Sequence, residues 1–264
     1  VPDSTYYPDI LTVKMERIKN GSVLQTFYLN RTVGPDKEPG TFPSSPNILY
    51  QTSEQMFGDS EYKITVTNNE TGYEMWSQTP LVDTVKILRP SVTSSQIISW
   101  TGQFPVSVEY GINAKAEVYN LIIRFKFTEE SVSTGQITSK YIDWNYATEQ
   151  VPDPNLISTI SYAIEGESFY KFVAQKLNPD NTVVRHAGTL DFIVSAGAEV
   201  LANYISINSA TSSVLTSIPQ YTNVNNGLGI FSSRFVTTSP NKPMSAASID
   251  SLKNGQYTYN LGFQ

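Results

Sequence analysis

The sequence predicts a mainly β protein, with an N-terminal immunoglobulin-like β-sandwich followed by a second β-rich domain that carries two or three short helices. Aromatic residues make up 12 % of the chain and occur with many Thr, Val and Ile residues, a composition that favours strands. Short segments in which apolar and polar residues alternate recur between turn signals, which is the pattern of a β-sandwich. Apolar residues at helical spacing are confined to a few segments, so we expect helices to be a minor part of the fold.

The predicted sandwich occupies residues 1–92. Residues 10–29 predict a hairpin, because Asn20-Gly21 can take the positive φ angles of a type I′ turn between two apolar strands. Residues 30–46 are rich in proline and charge and predict an exposed loop, whereas residues 53–57 predict a single helical turn. The further strands predicted here are 48–50, 61–67, 73–77 and 81–87. Since the chain contains no Cys, we expect a sandwich of the disulfide-free kind.

The second predicted domain covers residues 93–264, with the polar, proline-led segment 90–95 as the linker. Its central strand is predicted at 117–127, where every second residue from Tyr119 to Phe127 is apolar and the residues between them are mixed. The other strands predicted here are 97–100, 106–110, 137–146, 157–164 and 189–194. Apolar residues three or four apart predict helices at 168–177 and 198–208, and a last short helix is predicted at 246–252.

Composition excludes several classes of function. The formal net charge is −6 and no run of basic residues occurs, so we expect no nucleic-acid partner. The absence of Cys excludes thiol chemistry, and His186 is the only histidine, so the sequence predicts no metal site, no cofactor and no Ser-His-Asp catalysis. No continuous apolar segment approaches the length that a membrane-spanning helix needs. We therefore expect a protein that is not an enzyme.

One short segment carries the candidate binding residues Asp143, Trp144 and Tyr146. An aromatic ring beside a carboxylate is typical of a surface on which a sugar stacks. The alternation of a strand, however, places Trp144 and Tyr146 on the face of Ile142 and turns Asp143 to the other face with Tyr141. The period-two pattern therefore predicts that Trp144 is mostly buried, with the binding role as the alternative.

Paired carboxylates keep a glycosidase function as an alternative, because hydrolysis of a glycosidic bond needs only two acidic residues that face each other across a cleft. The candidates are Asp143 and the pair Glu165 and Glu167. The pair directly precedes a predicted helix, where negative charge stabilises the helix dipole, and this structural role is the favoured interpretation.

The most distinctive part of the sequence is segment 221–234, which reads YTNVNNGLGIFSSR. Its YTN-x-x-NG-x-G-x-F pattern resembles the C-terminal segment of uncharacterised surface lipoproteins of Bacteroidetes. The predicted helix at 198–208, with Asn203-Tyr204, and the immunoglobulin-like N-terminal half fit the same family. The chain begins at Val1-Pro2-Asp3, as a mature or trimmed chain would, which is compatible with an export signal removed upstream.

The resemblance implies an extracytoplasmic protein at the cell surface or in the periplasm, held at the outer membrane only by a lipidated Cys that this chain does not contain. It also implies a glycan or an outer-membrane protein as partner, in nutrient uptake. The sequence thus predicts a non-catalytic binding or assembly protein. An adhesin or pilus-like subunit is the first alternative, and a carboxylate-based glycosidase is the second.

Overall fold

A computed structural model describes residues 8–36, 46–153, 155, 158–210 and 221–264. The described residues form thirteen strands and three helices, which confirms the predicted mainly β class with short helices. None of the helices in these ranges is both long and apolar enough to span a bilayer. In chain order the elements are β1 (Leu11–Lys19), β2 (Ser22–Tyr28), β3 (Asn30–Gly34), β4 (Asn47–Gln51), β5 (Glu61–Asn68), β6 (Glu74–Pro80), β7 (Ile87–Arg89), β8 (Val106–Gly111), β9 (Val118–Ser131), β10 (Ile137–Gln150), β11 (Thr159–Ile164), α1 (Gly166–Lys176), β12 (Val183–Gly197), α2 (Glu199–Ala210), β13 (Arg234–Pro243) and α3 (Ala246–Asn254).

The chain divides into two compact units, and neither is continuous in sequence. The first unit comprises Val1–Asp83 and Gly197–Arg234, and the second comprises Thr84–Ala196 and Phe235–Gln264. This division differs from the predicted one, which separated residues 1–92 from residues 93–264. The boundary lies nearer the N-terminus, and the chain returns to the first unit after β12.

The predicted linker at residues 90–95 belongs to the second unit. The ammonium group of Lys242, a residue only 2 % exposed, donates hydrogen bonds to the carbonyl oxygens of Ser91 and Ser94. The hydroxyl of Ser239 donates to the carbonyl oxygen of Pro90 at 2.8 Å. These contacts fix the segment against β13, so it cannot act as a flexible linker.

The first unit contains a four-stranded antiparallel part, in the order β2-β1-β5-β6, and a separate hairpin of β3 and β4. The hairpin predicted at residues 10–29 is confirmed, with Asn20 at φ 53° and Gly21 at φ 76° in the turn. Met15, Phe27 and Tyr62 form a buried cluster on one side of the sheet.

Three local predictions in the N-terminal part of the chain are wrong. The strand predicted at 81–87 is absent, since residues 81–86 form no regular element and β7 begins at Ile87. The predicted loop at 30–46 begins with β3, which pairs with β4 from Asn30 to Gly34, while residues 37–45 lie outside the described ranges. The predicted helical turn at 53–57 is irregular backbone. At β3, pairing with β4 outweighs the local sequence signal, because the strand is stabilised by its partner rather than by its own composition.

The second unit contains a four-stranded sheet, in the order β10-β9-β12-β13, and a three-stranded sheet, in the order β11-β8-β7. The predicted facing of β9 is confirmed, because Leu121, Ile123 and Phe125 are at most 1 % exposed whereas Arg124 and Lys126 are partly exposed. Helix α1 buries Phe169, Tyr170, Phe172 and Val173. Ile157, predicted to begin a strand, lies outside the described residues, and β11 starts at Thr159.

Candidate functional site

The face of the four-stranded sheet opposite the buried side of β9 carries paired charges and one exposed ring. We call it the polar sheet face and define it by Arg124 and Lys126 on β9, Tyr141 and Asp143 on β10, and Asp191 on β12. Arg124 and Lys126 alternate with buried residues of β9, so the strand period turns their side chains away from the core. The long strands β9 and β10 pair directly, with Arg124 opposite Asp143.

Arg124 and Asp143 form a bidentate ion pair. The Nε atom of Arg124 donates to Asp143 Oδ1 at 2.7 Å, and its Nη2 atom donates to Oδ2 at 2.8 Å. The hydrogen bond to Asp143 raises the pKa of the Arg124 guanidinium, so the guanidinium stays charged. The guanidinium carbon also lies 4.1 Å from the centre of the Tyr141 ring. Tyr141 is 57 % exposed, so its ring is held in place while remaining open to solvent.

Lys126 forms the second charged group of the face. Its Nζ atom lies 2.7 Å from Asp191 Oδ2 and donates to Asn241 Oδ1 at 3.0 Å. The backbone N–H of Asn241 donates to the other oxygen of Asp191 at 2.8 Å. Asn241 has a φ of 54°, a conformation that asparagine tolerates better than most residues. These bonds fix the carboxylate of Asp191, which belongs to a residue only 7 % exposed.

An open groove of about 320 Å³ lies on this face. Its lining includes the Tyr141 ring, three cationic side chains and three hydroxyl side chains: Arg124, Lys126, Lys140, Thr128, Ser139 and Thr189. Gly188 also lines the groove, and a Cβ atom at this position would lie 2.7 Å from the carbonyl oxygen of Lys126. Glycine is therefore needed for the close approach of the two backbones. The groove combines an aromatic ring, hydroxyl groups and oriented charges.

The structure does not bring the three predicted site residues together. Asp143 lies on the polar sheet face, whereas the Trp144 ring stacks on Phe172 with centroids 5.2 Å apart and an interplanar angle of 10°. Tyr146 contacts Trp144 edge to face at 5.1 Å. Trp144 is half-buried in this aromatic cluster. Tyr141 is the aromatic residue that accompanies Asp143, and the period-two pattern already placed the two on one face.

We expect acrylamide to quench Trp144 fluorescence to an intermediate degree, measured in variants that keep one Trp and replace the others by Phe. Trp100 is 3 % exposed and Trp76 is 38 % exposed, so they provide the lower and upper references. Quenching of Trp144 should not change with added oligosaccharide, because the ring packs on Phe172. Quenching as strong as that of Trp76, reduced by oligosaccharide, would instead place Trp144 at a binding surface.

The predicted carboxylate pair before α1 has the environment of a helix N-terminus. Glu165 is the N-cap residue and Glu167 lies in the first turn. Glu167 accepts hydrogen bonds from the Tyr257 hydroxyl and from Lys171 Nζ, the latter at 3.0 Å, and these contacts hold its pKa below its usual range. A carboxylate with a lowered pKa is a poor general acid. The geometry favours the structural interpretation of Glu167.

The only histidine of the sequence, His186, contacts a carboxylate at the surface. Nε2 of His186 is 3.2 Å from Glu130 Oε2, and both side chains are more than two-fifths exposed. Within the described ranges, no group of three His, Asp or Glu side chains is arranged to hold a metal ion.

The distinctive segment 221–234 packs along the edge strand β6 of the first unit. Trp76 and Asn225 exchange backbone hydrogen bonds of 3.2 and 2.8 Å, and the hydroxyl of Ser77 donates to the carbonyl oxygen of Asn223 at 2.8 Å. The Asn223 side chain donates a hydrogen bond to the carbonyl oxygen of Phe231 and accepts one from the backbone N–H of the same residue. The segment therefore protects a sheet edge, which gives its asparagines a structural role.

Comparison with known proteins adds no family to this description, since no family model matches the chain and no curated protein shows significant sequence similarity to it.

Proposed function

We propose that this chain is a non-catalytic, extracytoplasmic binding protein whose polar sheet face binds a glycan. The observation that carries the proposal is the exposed Tyr141 ring, held by Arg124 beside an open groove with hydroxyl and charged side chains. Sugars present apolar C–H faces that stack on aromatic rings and hydroxyl groups that need oriented hydrogen-bond partners. Tyr141 supplies the first requirement, and the cationic and hydroxyl side chains that line the groove supply the second.

The rigidity of these groups supports the proposal energetically. Arg124 and Lys126, which line the groove, are each held by two hydrogen bonds or ion-pair contacts, so a ligand does not have to order them on binding. Preorganised groups reduce the entropy lost on association.

The proposed location is the outer membrane, with attachment through a lipid anchor outside this sequence and a role in nutrient uptake. It is supported by the resemblance of segment 221–234 to surface lipoproteins and by the lack of Cys in a β-rich, acidic chain. An outer-membrane protein is the proposed assembly partner. Expression of the full gene followed by membrane fractionation and protease shaving of intact cells tests this location, and recovery only in the cytosol would overturn it.

A Tyr141→Ala substitution tests the binding site directly. We expect about a tenfold weaker affinity for the best oligosaccharide found on a glycan array, measured by isothermal titration calorimetry, because the stacking surface is lost. The melting temperature should stay near that of the original protein, since the side chain is 57 % exposed.

Tyr259→Ala is the matched control for this test. Tyr259 belongs to the same unit and is 67 % exposed, so its removal alters a comparable surface away from the groove lining. Equal losses of affinity in the two variants, or no glycan bound by the unmodified protein, would contradict the proposal.

A strand-accepting structural subunit is the second candidate function, and one observation favours it. Strand β10 has 14 residues and lies at the edge of its sheet, with Ile137 at 63 % exposure. A long edge strand offers free backbone groups to a strand from another chain. Concentration-dependent assembly in light scattering, abolished by proline at Ser139, would favour this function over glycan binding.

A further inference from the structure

We propose that the four-stranded sheet of the first unit carries a second glycan site, which binds a linear chain long enough to reach two separate aromatic rings. The rings belong to Tyr28 on β2 and Trp76 on β6. This site lies in the first unit and not on the polar sheet face, so it is additional to the proposed function.

Both rings lie on one cross-strand row of the sheet. Lys14 pairs with Tyr28 on one side and with Thr65 on the other, and Thr65 pairs with Trp76. We call these four residues the aromatic row. Residues that pair across neighbouring strands project from the same side of a sheet, whereas successive residues of one strand alternate. Since Met15 belongs to the buried cluster, the aromatic row lies on the side turned away from that cluster.

Both rings of the row are open to solvent. Tyr28 is 62 % exposed and Trp76 is 38 % exposed. The Nζ atom of Lys63 lies 4.6 Å from the centre of the Trp76 ring, and this cation–π contact restrains the ring. An exposed and restrained ring is a surface on which the apolar C–H face of a sugar can stack.

The distinctive segment 221–234 places a polar group beside Trp76. Asn225 forms an antiparallel bridge with Trp76, so it extends the aromatic row by one position, and it is exposed. Its Nδ2 atom donates to the carbonyl oxygen of Trp76 at 3.4 Å. In the described contacts the amide therefore keeps a second N–H donor and its oxygen acceptor. Besides protecting the sheet edge, the segment thus offers a hydrogen-bonding partner for the hydroxyl groups of a sugar stacked on Trp76.

The surface between the rings is polar, which decides between classes of ligand. The Nζ atom of Lys14 lies 3.2 Å from Glu16 Oε1, and the register sets Glu16 opposite Lys63. An apolar partner such as a lipid chain would remove these charges from water without replacing their hydrogen bonds, which is costly. The hydroxyl groups of a glycan can bond to both signs of charge, so a polyhydroxyl chain is the ligand that fits both the rings and the surface between them.

The distance between the rings sets the minimum length of the ligand. Strands β2 and β6 are separated by β1 and β5, so three strand spacings of about 4.8 Å place the Cα atoms of Tyr28 and Trp76 about 14 Å apart. One monosaccharide cannot stack on both rings at this separation. A chain that reaches both gains its second contact within the same complex, so its affinity should rise with length.

The dependence of affinity on chain length tests this site. Cello-, xylo- and manno-oligosaccharides from the disaccharide to the octasaccharide are titrated by calorimetry into the Tyr141→Ala variant, in which the polar sheet face has lost its ring. We expect affinity to rise at least about tenfold once the chain spans both rings. Adding Trp76→Ala should weaken binding of every length about tenfold, because the ring beside Asn225 is lost. Adding Tyr28→Ala should weaken only the binding of long chains and so remove the dependence on length.

Phe57→Ala is the matched control for Trp76→Ala. Phe57 is 37 % exposed, and its ring centre lies 4.0 Å from the guanidinium carbon of Arg17, so it resembles Trp76 in exposure and in its cation contact. Arg17 pairs with Tyr62 of the buried cluster, which places this contact on the other side of the sheet from the aromatic row. The control should leave affinity unchanged, and circular dichroism checks that all variants fold.

Trp76 also provides a direct optical test. In a variant that keeps only this Trp, we expect the octasaccharide to reduce acrylamide quenching and the disaccharide to reduce it less at the same concentration. Quenching that no oligosaccharide changes would overturn the site.

The outcomes separate the two proposals. Loss of all binding or of the length dependence in the Tyr141→Ala variant, or equal losses in Trp76→Ala and Phe57→Ala, would overturn the first-unit site and leave the polar sheet face in place. Affinities that are the same with and without Tyr141→Ala but fall in Trp76→Ala would overturn the polar sheet face and leave the first-unit site in place.

Discussion

An alanine at position 125 is expected to lower the free energy of unfolding of the second unit by about 3–5 kcal/mol. Phe125 is fully buried in the middle of β9. Its ring lies 5.6 Å from that of Phe127, 5.4 Å from that of Phe169 and 6.1 Å from that of Phe263. Removing it loses the transfer free energy of the ring and leaves a cavity among aromatic neighbours that cannot close around it. Urea unfolding followed by near-UV circular dichroism measures the change.

Arg124→Ala is the control for this substitution, one residue away on the other face of the same strand. Its side chain and that of Asp143 are each about one-third exposed, at 31 % and 30 %, so the ion pair should contribute about 1 kcal/mol or less. Phe125→Leu should fall between the two, because leucine refills part of the cavity. Similar losses for Phe125→Ala and Arg124→Ala would contradict the facing of β9.

The sequence predicted the elements whose signal is local. The facing of β9 follows from the alternation between Tyr119 and Phe127, because a fully apolar face has no stable place except a core. Helix α1 was predictable from the spacing of Phe169, Phe172 and Val173, which recurs once per turn. The hairpin at Asn20-Gly21 was predictable because few other residue pairs tolerate its φ angles.

Elements that depend on distant partners could not be predicted. Strand β13 contains Pro240 and Pro243 and few apolar residues, so its composition argues against a strand, yet it forms the edge of the four-stranded sheet. Its Lys242 is buried because the carbonyl groups of Ser91 and Ser94, far away in sequence, accept its hydrogen bonds. The return of residues 197–234 to the first unit depends on the same kind of long-range contact.

The candidate site also depends on contacts between residues that are distant in sequence, and these contacts could not be predicted. Asp143 was identified from its aromatic neighbours, and Tyr141 was placed on its face by the strand period alone. The partners that complete the polar sheet face lie on other strands, since Arg124 and Asp191 are remote from Asp143 in sequence. Only the strand order and register bring these groups together, and neither can be read from a single sequence.

Replacing Arg185 by Met is expected to cost about 3–5 kcal/mol of the stability of the second unit. The side chain is 5 % exposed, and its Nε atom donates to Glu129 Oε1 at 3.0 Å. Its Nη1 atom donates to the carbonyl oxygens of Asn178 at 3.0 Å and of Leu261 at 2.6 Å. Methionine would keep most of the apolar stem but leave a carboxylate and two carbonyl groups without their donor. Urea unfolding measures the loss.

The same substitution at Arg89 is the control, because its pair with Glu109 is longer, at 3.5 Å, and the arginine side chain is 66 % exposed. It should cost about 1 kcal/mol or less. The Arg185 side chain also holds the C-terminal segment, since its Nη1 atom donates to the carbonyl oxygen of Leu261. We therefore expect faster proteolysis of the last residues in Arg185→Met, and the same stability loss at both arginines would contradict the buried role.

A double-variant cycle with Glu129→Met separates the ion pair from the two carbonyl contacts. Removing one partner of a poorly solvated pair leaves the other uncompensated, whereas removing both leaves no unpaired charge. The double variant should therefore lose less stability than the sum of the single variants. If the losses add, Glu129, at 20 % exposure, is already compensated by water, and Arg185 stabilises the unit through Asn178 and Leu261 alone.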